Sequence, residues 1–168
     1  DINISKKRPQ TKKSYITMIN PRRRKGGEIF KQIAHKLCNT NFLAVCGWDD
    51  IHTNTIKYAN ITMYDGIDFR NLKNLRFIRP TSAMRDVYTQ TKILLVPSIV
   101  EETYPRVIVE AMSHGVPVIA SAIGGLPESV GSRGILIENY RNLNEWLKAI
   151  KIVNNPVQFT KYQKLSIS

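Results

Sequence analysis

The chain alternates short apolar runs with segments that have helical periodicity, and this alternation restricts the fold more than any other feature. The apolar runs are rich in β-branched residues, as buried strands are, and lie at residues 14–20, 42–48, 75–78, 93–98, 117–121 and 134–138. Apolar residues spaced three and four positions apart predict helices at residues 26–40, 82–91, 105–114, 126–130 and 142–153. Strands that alternate with helices form parallel sheets with right-handed crossovers. The sequence therefore predicts an α/β protein, a Rossmann-like three-layer sandwich with a mostly parallel sheet of about six strands.

The length fits one domain with a sizeable core, because two full domains would be cramped in 168 residues. Hydrophobic residues make up 42% of the chain and charged residues 23%, which is typical of a globular protein and excludes a largely disordered one. We expect a basic tail at residues 1–13, a compact domain at 14–155 and a C-terminal extension at 156–168. The pattern is least regular at residues 49–74, where it predicts a short helix near 55–59 and otherwise loop.

Several features bear on the compartment of the protein. No apolar run approaches the roughly 20 residues that cross a bilayer, and the first residues lack the apolar core of a signal peptide. Cys38, in a predicted helix, and Cys46, in a predicted strand, have no spacing typical of a zinc site, and we expect both to be small core residues in a reducing compartment. The expected location is cytoplasmic, and an anionic membrane surface is an alternative partner for the basic charge.

The net charge of +12 is concentrated near the start of the chain. Residues 1–36 hold 11 lysines and arginines against two acidic residues, and the rest of the chain holds 14 against 11. Part of the excess, residues 6–13, has no apolar period and is expected to be solvated. A basic nucleic-acid-binding α/β module would explain the charge through phosphate contacts. That alternative is weakened because the aromatic residues Tyr15, Phe30, Phe42 and Phe77 lie on core patterns and form no stacking platform, so no specific nucleic-acid partner is expected.

Ligands of such a fold bind at the carboxyl ends of the strands, and the loop after the first strand reads NPRRRKGGEIF. Lys25 and the arginines Arg22 to Arg24 supply positive charge there. Gly26 and its neighbour let the backbone approach a ligand, and the helix that follows presents free N–H groups. This combination predicts a phosphate site, with a solvated basic turn that caps the helix as the alternative.

The loops after the second and third strands carry weaker signals. In CGWDD, Gly47 is a candidate for close backbone approach to a sugar or phosphate. Asp49 and Asp50 lack a third ligand nearby, so we interpret them as loop or N-cap residues and predict no metal site. In RFIRPT, the strand end at Ile78 and Arg79 is a candidate slot for a flat base held by main-chain groups.

The loop after the fourth strand, EETYPRVIVEAMSHG, places Glu102 and Glu110 eight positions apart. Pro105 fits the first turn of a helix and Gly115 fits the position just after its end, so Glu102 precedes the helix and Glu110 lies inside it. An ion pair with Arg106, four positions earlier, is the simplest role for Glu110. The helix that carries Glu110 is nearly apolar. If Glu110 lacks such a pair, we expect it to bind a ligand, since an unpaired buried charge is too costly to keep.

The run PSIVEETYPRVIVEAMSHGVPVIASAIGGLPESV, residues 97–130, resembles the donor-binding half of family 4 glycosyltransferases of the GT-B fold. That family has two glutamates separated by seven residues, then Ala-Met, a glycine, Pro-Val-Ile and a Gly-Gly loop. The resemblance extends over about residues 14–155. It implies that this chain forms one of the two Rossmann-like halves of a GT-B enzyme and lacks the N-terminal acceptor-binding half.

The resemblance also implies roles for individual residues. Glu102 would contact the donor sugar, Glu110 the ribose hydroxyls, and Lys25 the diphosphate, which makes Glu102 and Lys25 the catalytic residues. The family usually has an arginine where this chain has Asn20, so Arg22, Arg23 or Arg24 is expected to replace it, and Arg22 and Arg24 are taken as donor-binding positions. The remaining donor-binding positions lie in the loops after the first four strands. They are Gly26 after the first strand, Gly47 after the second, Ile78 and Arg79 at the end of the third, and Thr103 and Tyr104 after the fourth.

The implied reaction is retaining transfer of a glycosyl group from a UDP-, GDP- or ADP-sugar, with no metal and no separate cofactor. The base, the sugar and the acceptor stay undetermined. A GT-B epimerase that acts on a nucleotide sugar shares the fold and the donor site, and it remains an alternative. Because the resemblance covers one half of the enzyme, we expect the isolated chain to bind donor but to transfer sugar weakly or not at all.

Overall fold

The structure, a computed structural model, describes residues 13–48, 61–103 and 105–168. Within these ranges the strands are β1 (Tyr15–Ile19), β2 (Phe42–Val45), β3 (Met63–Tyr64), β4 (Ile67–Asp68), β5 (Leu75–Ile78), β6 (Thr91–Val96), β7 (Val118–Ser121) and β8 (Ile135–Ile137). Six of them form one sheet in the order β5-β2-β1-β6-β7-β8, and every pair of neighbours in that sheet is parallel. The predicted sheet of about six parallel strands is confirmed.

The helices are α1 (Gly27–Lys36), α2 (Met84–Gln90), α3 (Arg106–Ser113), α4 (Leu126–Val130), α5 (Leu143–Asn154) and α6 (Pro156–Ile167). The apolar sides of α1 and α5 pack on one face of the sheet, and those of α2, α3 and α4 pack on the other. This gives the predicted three layers, because a parallel sheet has to be covered on both faces. The side chains of Thr17 in β1 and Thr91 in β6 are fully buried and hydrogen-bonded at 2.8 Å, which satisfies both hydroxyl groups at the centre of the sheet.

A β-hairpin, β3 and β4, lies in the segment that the sequence predicts as loop. Asp65 and Gly66 form its turn with φ of 48° and 72°, as a type I′ turn requires. The Asp-Gly dipeptide is the sequence signal for this turn, and its flanking strands are too short to stand out as apolar runs. The predicted helix near residues 55–59 lies outside the described residues.

Both ends of the compact domain make contacts with its helices. Lys13, expected to be part of a solvated tail, is half-buried and donates hydrogen bonds to the carbonyls of His114 and Gly115 at 2.9 and 2.8 Å. These carbonyls lie at the C-terminal end of α3, where a cation offsets the helix dipole. Burial lowers the pKa of Lys13 from its ordinary value. The C-terminal extension is the helix α6, which packs against both α5 and α3.

The two cysteines have different environments. Cys46 is buried, as expected, whereas Cys38 is exposed because α1 ends at Lys36 and leaves Cys38 in the following turn. The expectation of two core cysteines is therefore wrong for Cys38. Of the helices that the structure describes, none is long and apolar enough to cross a membrane.

Candidate functional site

A cleft of about 430 Å³ opens at the carboxyl ends of the strands, next to the junction of β1 and β6 where the strand order reverses. Loops diverge to opposite faces at such a point and leave a crevice, which is where open α/β sheets bind ligands. The cleft is lined by the strand ends, by the loops after β1, β2, β5 and β6, and by α3. The polar and aromatic residues of its lining are Asn20, Lys25, Trp48, Thr81, Glu102, Arg106 and Glu110.

The loop after β1 is pressed against the loop after β6, and Gly26 makes this possible. Gly26 has φ of 84°, and a Cβ atom there would lie 1.7 Å from the backbone oxygen of Pro97. The backbone N–H of Ile99 donates to the Arg24 carbonyl at 3.2 Å, which fastens the two loops together. Only glycine accommodates both the positive φ and this contact. The close approach carries Lys25 to the start of the Glu102 loop.

Lys25 and Glu102 form an ion pair in the cleft. Lys25 Nζ lies 2.6 Å from Glu102 Oε2, and the two side chains are 28% and 13% exposed. The Ser98 hydroxyl donates to the other carboxylate oxygen of Glu102. Both oxygens of a mostly buried carboxylate are thus hydrogen-bonded, as burial of a charge demands. Sequence reasoning identified both partners and missed Ser98, which lies four residues before Glu102.

The Gly-Gly loop packs against the backbone that carries Glu102. The Gly125 N–H donates to the Glu102 carbonyl at 2.7 Å, and a Cβ atom on Gly125 would lie 2.4 Å from the Thr103 carbonyl oxygen. Gly124 has φ of 55°, and a Cβ atom there would lie 2.8 Å from the Glu102 nitrogen. These two glycines therefore fix the backbone of residues 102 and 103 beside the cleft.

Glu110 lines the same cleft from α3 and pairs with a tyrosine. The Tyr88 hydroxyl, on α2, donates to Glu110 Oε2 at 3.1 Å. Burial, followed by the negative charge of Glu110 and this hydrogen bond, raises the pKa of Tyr88 above its ordinary value, so its hydroxyl stays protonated and able to donate. Within the described ranges no ion pair joins Arg106 to Glu110. The simple ion-pair interpretation is thus replaced by a contact between two helices that no sequence spacing reveals.

The three arginines of the first loop, Arg22 to Arg24, are not among the residues that line the cleft. Arg23 binds the hairpin, with its N–H 2.7 Å from Asp65 Oδ2 and its guanidinium 2.7 Å from the Gly66 carbonyl. The Arg22 side chain donates to Asn20 Oδ1 at 3.2 Å, and Arg24 is exposed. Among the described residues the arginine in the cleft lining is Arg106, at the first position of α3.

The remaining predicted positions are distributed around the cleft. Gly47 lines it, and Pro80 and Thr81 line it immediately after the predicted base-binding positions Ile78 and Arg79. Thr103 is exposed next to the Gly-Gly loop. Tyr104, Asp49 and Asp50 lie outside the described residues. In the part of the chain that the structure describes, no group of three or more His, Cys, Asp or Glu residues could hold a metal ion.

Asn20 and the hairpin hold the loop after β2. The Gly47 N–H donates to the Tyr64 hydroxyl at 2.8 Å, and that hydroxyl donates to Asn20 Oδ1 at 3.2 Å. Asn20 has φ of 55°, and a Cβ atom on Gly47 would lie 2.8 Å from Asn20 Oδ1. The position where the resemblance implies an arginine is thus occupied by a residue that braces two strand-end loops.

A model of a glycosyltransferase family, described as glycosyl transferases group 1, matches residues 14–155. The chain belongs to this family. The resemblance inferred from residues 97–130 is thereby confirmed, and this glycosyltransferase domain has the fold of one half of a GT-B enzyme.

Curated relatives of this glycosyltransferase domain are much longer than it is. D-inositol 3-phosphate glycosyltransferase of Corynebacterium efficiens is 36% identical over 87 residues, which are 49% of this chain and 19% of that protein. The enzyme of the same name from Mycobacteroides abscessus is 34% identical over 88 residues, 50% of this chain and 19% of that protein. The chain therefore aligns with only about a fifth of each curated relative.

Solved structures support the fold over nearly the whole domain. Sucrose-phosphate synthase from Thermosynechococcus elongatus superposes with a TM-score of 0.70 at 24% identity, over 92% of this chain and 40% of that one. Anabaena Alr3699/HepE, solved in complex with UDP and glucose, superposes with a TM-score of 0.70 at 17% identity, over 92% of this chain and 43% of that one. The domain thus accounts for less than half of each of these structures.

Proposed function

We propose that this domain binds the nucleoside diphosphate sugar donor of a glycosyltransferase in the cleft beside β1 and β6. The observation that carries the proposal is the Lys25–Glu102 ion pair at the strand-order reversal, with a second carboxylate, Glu110, on the helix that follows. A donor has a diphosphate that needs a cation and two sets of sugar hydroxyls that need acceptors. The cleft offers two cations, Lys25 and Arg106, and two carboxylates for these groups.

Each of these residues matches one part of the donor. Lys25 binds the diphosphate. In doing so, Lys25 exchanges its anionic partner Glu102 for the anionic diphosphate. Glu102 is then free to accept hydrogen bonds from the transferred sugar. Glu110, oriented by Tyr88, accepts hydrogen bonds from the ribose hydroxyls. Lys25 and Glu102, both only partly exposed, thus keep hydrogen-bonding partners before and after binding.

Arg106 is the best-placed second cation for the diphosphate. It lines the cleft at the first position of α3, where the helix dipole also favours an anion. Arg22 and Arg24, which the sequence favoured, do not line the cleft. We expect Arg106→Ala to weaken UDP binding about 10-fold, because a charge-assisted contact is lost, and Arg24→Ala to leave it unchanged. Calorimetric titration of both variants decides between them, and a loss confined to Arg24→Ala would reverse the assignment.

The reaction we propose for the complete enzyme is transfer with retention at the anomeric carbon. The bond between that carbon and the diphosphate oxygen breaks, a bond to the acceptor oxygen forms on the same face, and the acceptor proton passes to the departing phosphate. Negative charge grows on the leaving group during this step, and Lys25, Arg106 and the N-terminus of α3 are placed to stabilise it. This charge distribution lets transfer proceed without a divalent metal. Added EDTA should therefore leave the rate of transfer by the complete enzyme unchanged.

The ribose assignment predicts a selective loss in Glu110→Ala. We expect UDP to bind this variant about 10- to 100-fold more weakly, because two hydrogen bonds to a charged acceptor disappear. Calorimetric titration of the full chain with UDP, GDP, ADP and their sugar conjugates measures the effect and identifies the base. Wild type should also prefer UDP over 2′-deoxy-UDP, and Glu110→Ala should lose that preference.

Glu138→Ala provides the matched control, since Glu138 is an exposed glutamate after β8 that does not line the cleft. Donor affinity that is equal in Glu110→Ala and wild type would reject the ribose role. If the folded wild type binds none of the nucleotides, the proposed function itself fails.

Because the domain spans less than half of the superposed glycosyltransferase structures, we propose that acceptor binding depends on residues beyond this chain, and we expect little transfer by the domain alone.

A further inference from the structure

Trp48 is a large apolar side chain exposed inside the cleft. It is 58% exposed, and it lines the cleft directly after β2. Among the exposed large apolar side chains of the described ranges it is the only aromatic one. Exposing an indole ring to water forfeits the stabilisation that its burial would give, so a partner that covers it gains affinity.

The backbone on which Trp48 sits is held in place. The preceding residue, Gly47, is buried and donates its N–H to the Tyr64 hydroxyl at 2.8 Å. Tyr64 is 4% exposed and belongs to the hairpin, which Arg23 binds at its turn. The Trp48 side chain is thus exposed while the residue before it is held by a hydrogen bond, which is suitable for a binding platform because less order has to be gained on binding.

The strand order places Trp48 at the end of the cleft opposite the sugar-binding carboxylate. Glu102 follows β6 and Lys25 follows β1, whereas Trp48 follows β2, and Pro80 and Thr81 follow β5. From β6 to β5 the cleft crosses three strand spacings, about 14 Å in all. An extended ligand with its sugar at Glu102 and its diphosphate at Lys25 therefore carries its far end to Trp48 and the β5 loop.

We propose that Trp48 stacks on the nucleobase of the bound donor, with the β5 loop at the edge of the base. The inference rests on the proposed function, because the position of the base follows from that of the diphosphate. Every base offers a π-face to an indole, so the stack adds affinity for any base, and discrimination between bases falls to the polar groups of the β5 loop. Trp48 is then a determinant of nucleotide affinity and does not touch the reacting atoms.

The two tryptophans make this interaction directly observable. Trp146 is fully buried and its indole N–H donates to the Tyr140 carbonyl at 2.9 Å, so a ligand in the cleft cannot reach it. We expect UDP, GDP and ADP to quench the fluorescence of the full chain through Trp48. Inorganic pyrophosphate, which has no base, should bind without quenching. Trp48→Phe should keep the affinity for UDP within about 3-fold and abolish the quenching, since an aromatic ring remains for stacking.

Trp48→Ala should weaken UDP binding roughly 10- to 100-fold and leave pyrophosphate binding unchanged, because only the base loses its partner. Met63→Ala is the matched control, as Met63 is 53% exposed on the hairpin and does not line the cleft. The stacking inference is overturned, and the donor-binding proposal kept, if calorimetry shows UDP bound equally by wild type and Trp48→Ala. The inference and the donor-binding proposal are both overturned if wild type binds no nucleotide.

Discussion

Gly26→Ala is expected to lower the free energy of unfolding by about 2 to 4 kcal/mol and to abolish donor binding. Two effects add: an alanine is strained at φ of 84°, and its Cβ atom would lie 1.7 Å from the Pro97 oxygen and 2.6 Å from the Pro97 carbonyl carbon. Both of these atoms belong to the backbone, so the β1 and β6 loops have to separate. Separation moves Lys25 away from Glu102. Urea denaturation followed by circular dichroism measures the first effect, and calorimetry with UDP measures the second.

Gly66→Ala separates the two causes. Gly66 also has a positive φ, 72°, but the atom nearest to a Cβ at this position would be the flexible end of Arg23, at 3.3 Å. We expect this variant to lose only about 1 kcal/mol, the cost of the backbone conformation. Equal losses in the two variants would show that the contact between the two loops contributes nothing to stability.

Lys25→Ala is expected to weaken binding of UDP about 100-fold, because the diphosphate loses its main cation and meets an unneutralised Glu102 instead. The Ser98 hydroxyl still donates to Glu102, so the fold should persist. Titration calorimetry at two salt concentrations gives the affinity and its electrostatic part. Lys31→Ala is the matched control, since Lys31 lies on the same segment of chain and pairs with Glu28 at 3.2 Å, outside the cleft lining.

Glu102→Gln tests the exchange of partners at Lys25. Without the opposing carboxylate, Lys25 is free from the start, so UDP alone should bind this variant at least as tightly as it binds wild type. UDP-sugars should lose the additional affinity that the sugar provides, because a neutral amide is a weaker acceptor of its hydroxyls. A parallel loss for UDP and UDP-sugar would mean that Glu102 acts by positioning Lys25, and it would contradict the assignment of Glu102 to the sugar.

The nucleic-acid alternative for the basic charge receives no support from the aromatic residues. Phe30 and Phe42 are fully buried, and Phe77 is 8% exposed. Phe30 packs edge-on against Phe42, and Phe77 against Phe69, with ring centroids 5.6 and 5.2 Å apart. These rings form the core beneath α1 and cannot stack on exposed bases.

The epimerase alternative shares the donor site, so analysis of the products of the complete enzyme is the measurement that separates it from transfer.

The elements that the sequence predicts well are those whose signal is local. The buried strands stand out because a parallel sheet covered on both faces demands continuous apolar runs, as in β6 and β7. Gly115, predicted at the end of α3, has φ of 62° there, which fits the residue type that helix termini favour. The hairpin β3–β4 is not predicted because two-residue strands have no measurable period, although its Asp-Gly turn is visible in the sequence.

The residues that the sequence places less well are those whose partners are distant in the chain. Arg22, Arg24 and Arg106 are chemically equivalent in the sequence, and only the packing of the loops decides which of them faces the cleft. Tyr88 is visible in the sequence only as one apolar position of α2, whereas its hydroxyl reaches Glu110 across two helices. Trp48 is not predicted as a site residue because its role depends on its exposure, which a pattern of residue types does not reveal.

The sequence by itself determined the layered α/β architecture, the family and the identity of Lys25, Glu102 and Glu110 as the charged groups of interest. These follow from periodicity and from motifs in which neighbouring residues act together. The tertiary structure decided which groups meet: Lys25 meets Glu102, and Tyr88 meets Glu110. It also decided that Trp48 lies at the end of the cleft opposite Glu102. The physical reason is that side-chain pairing depends on the order of strands in the sheet and on the contact at Gly26, and both arise only when distant parts of the chain pack together.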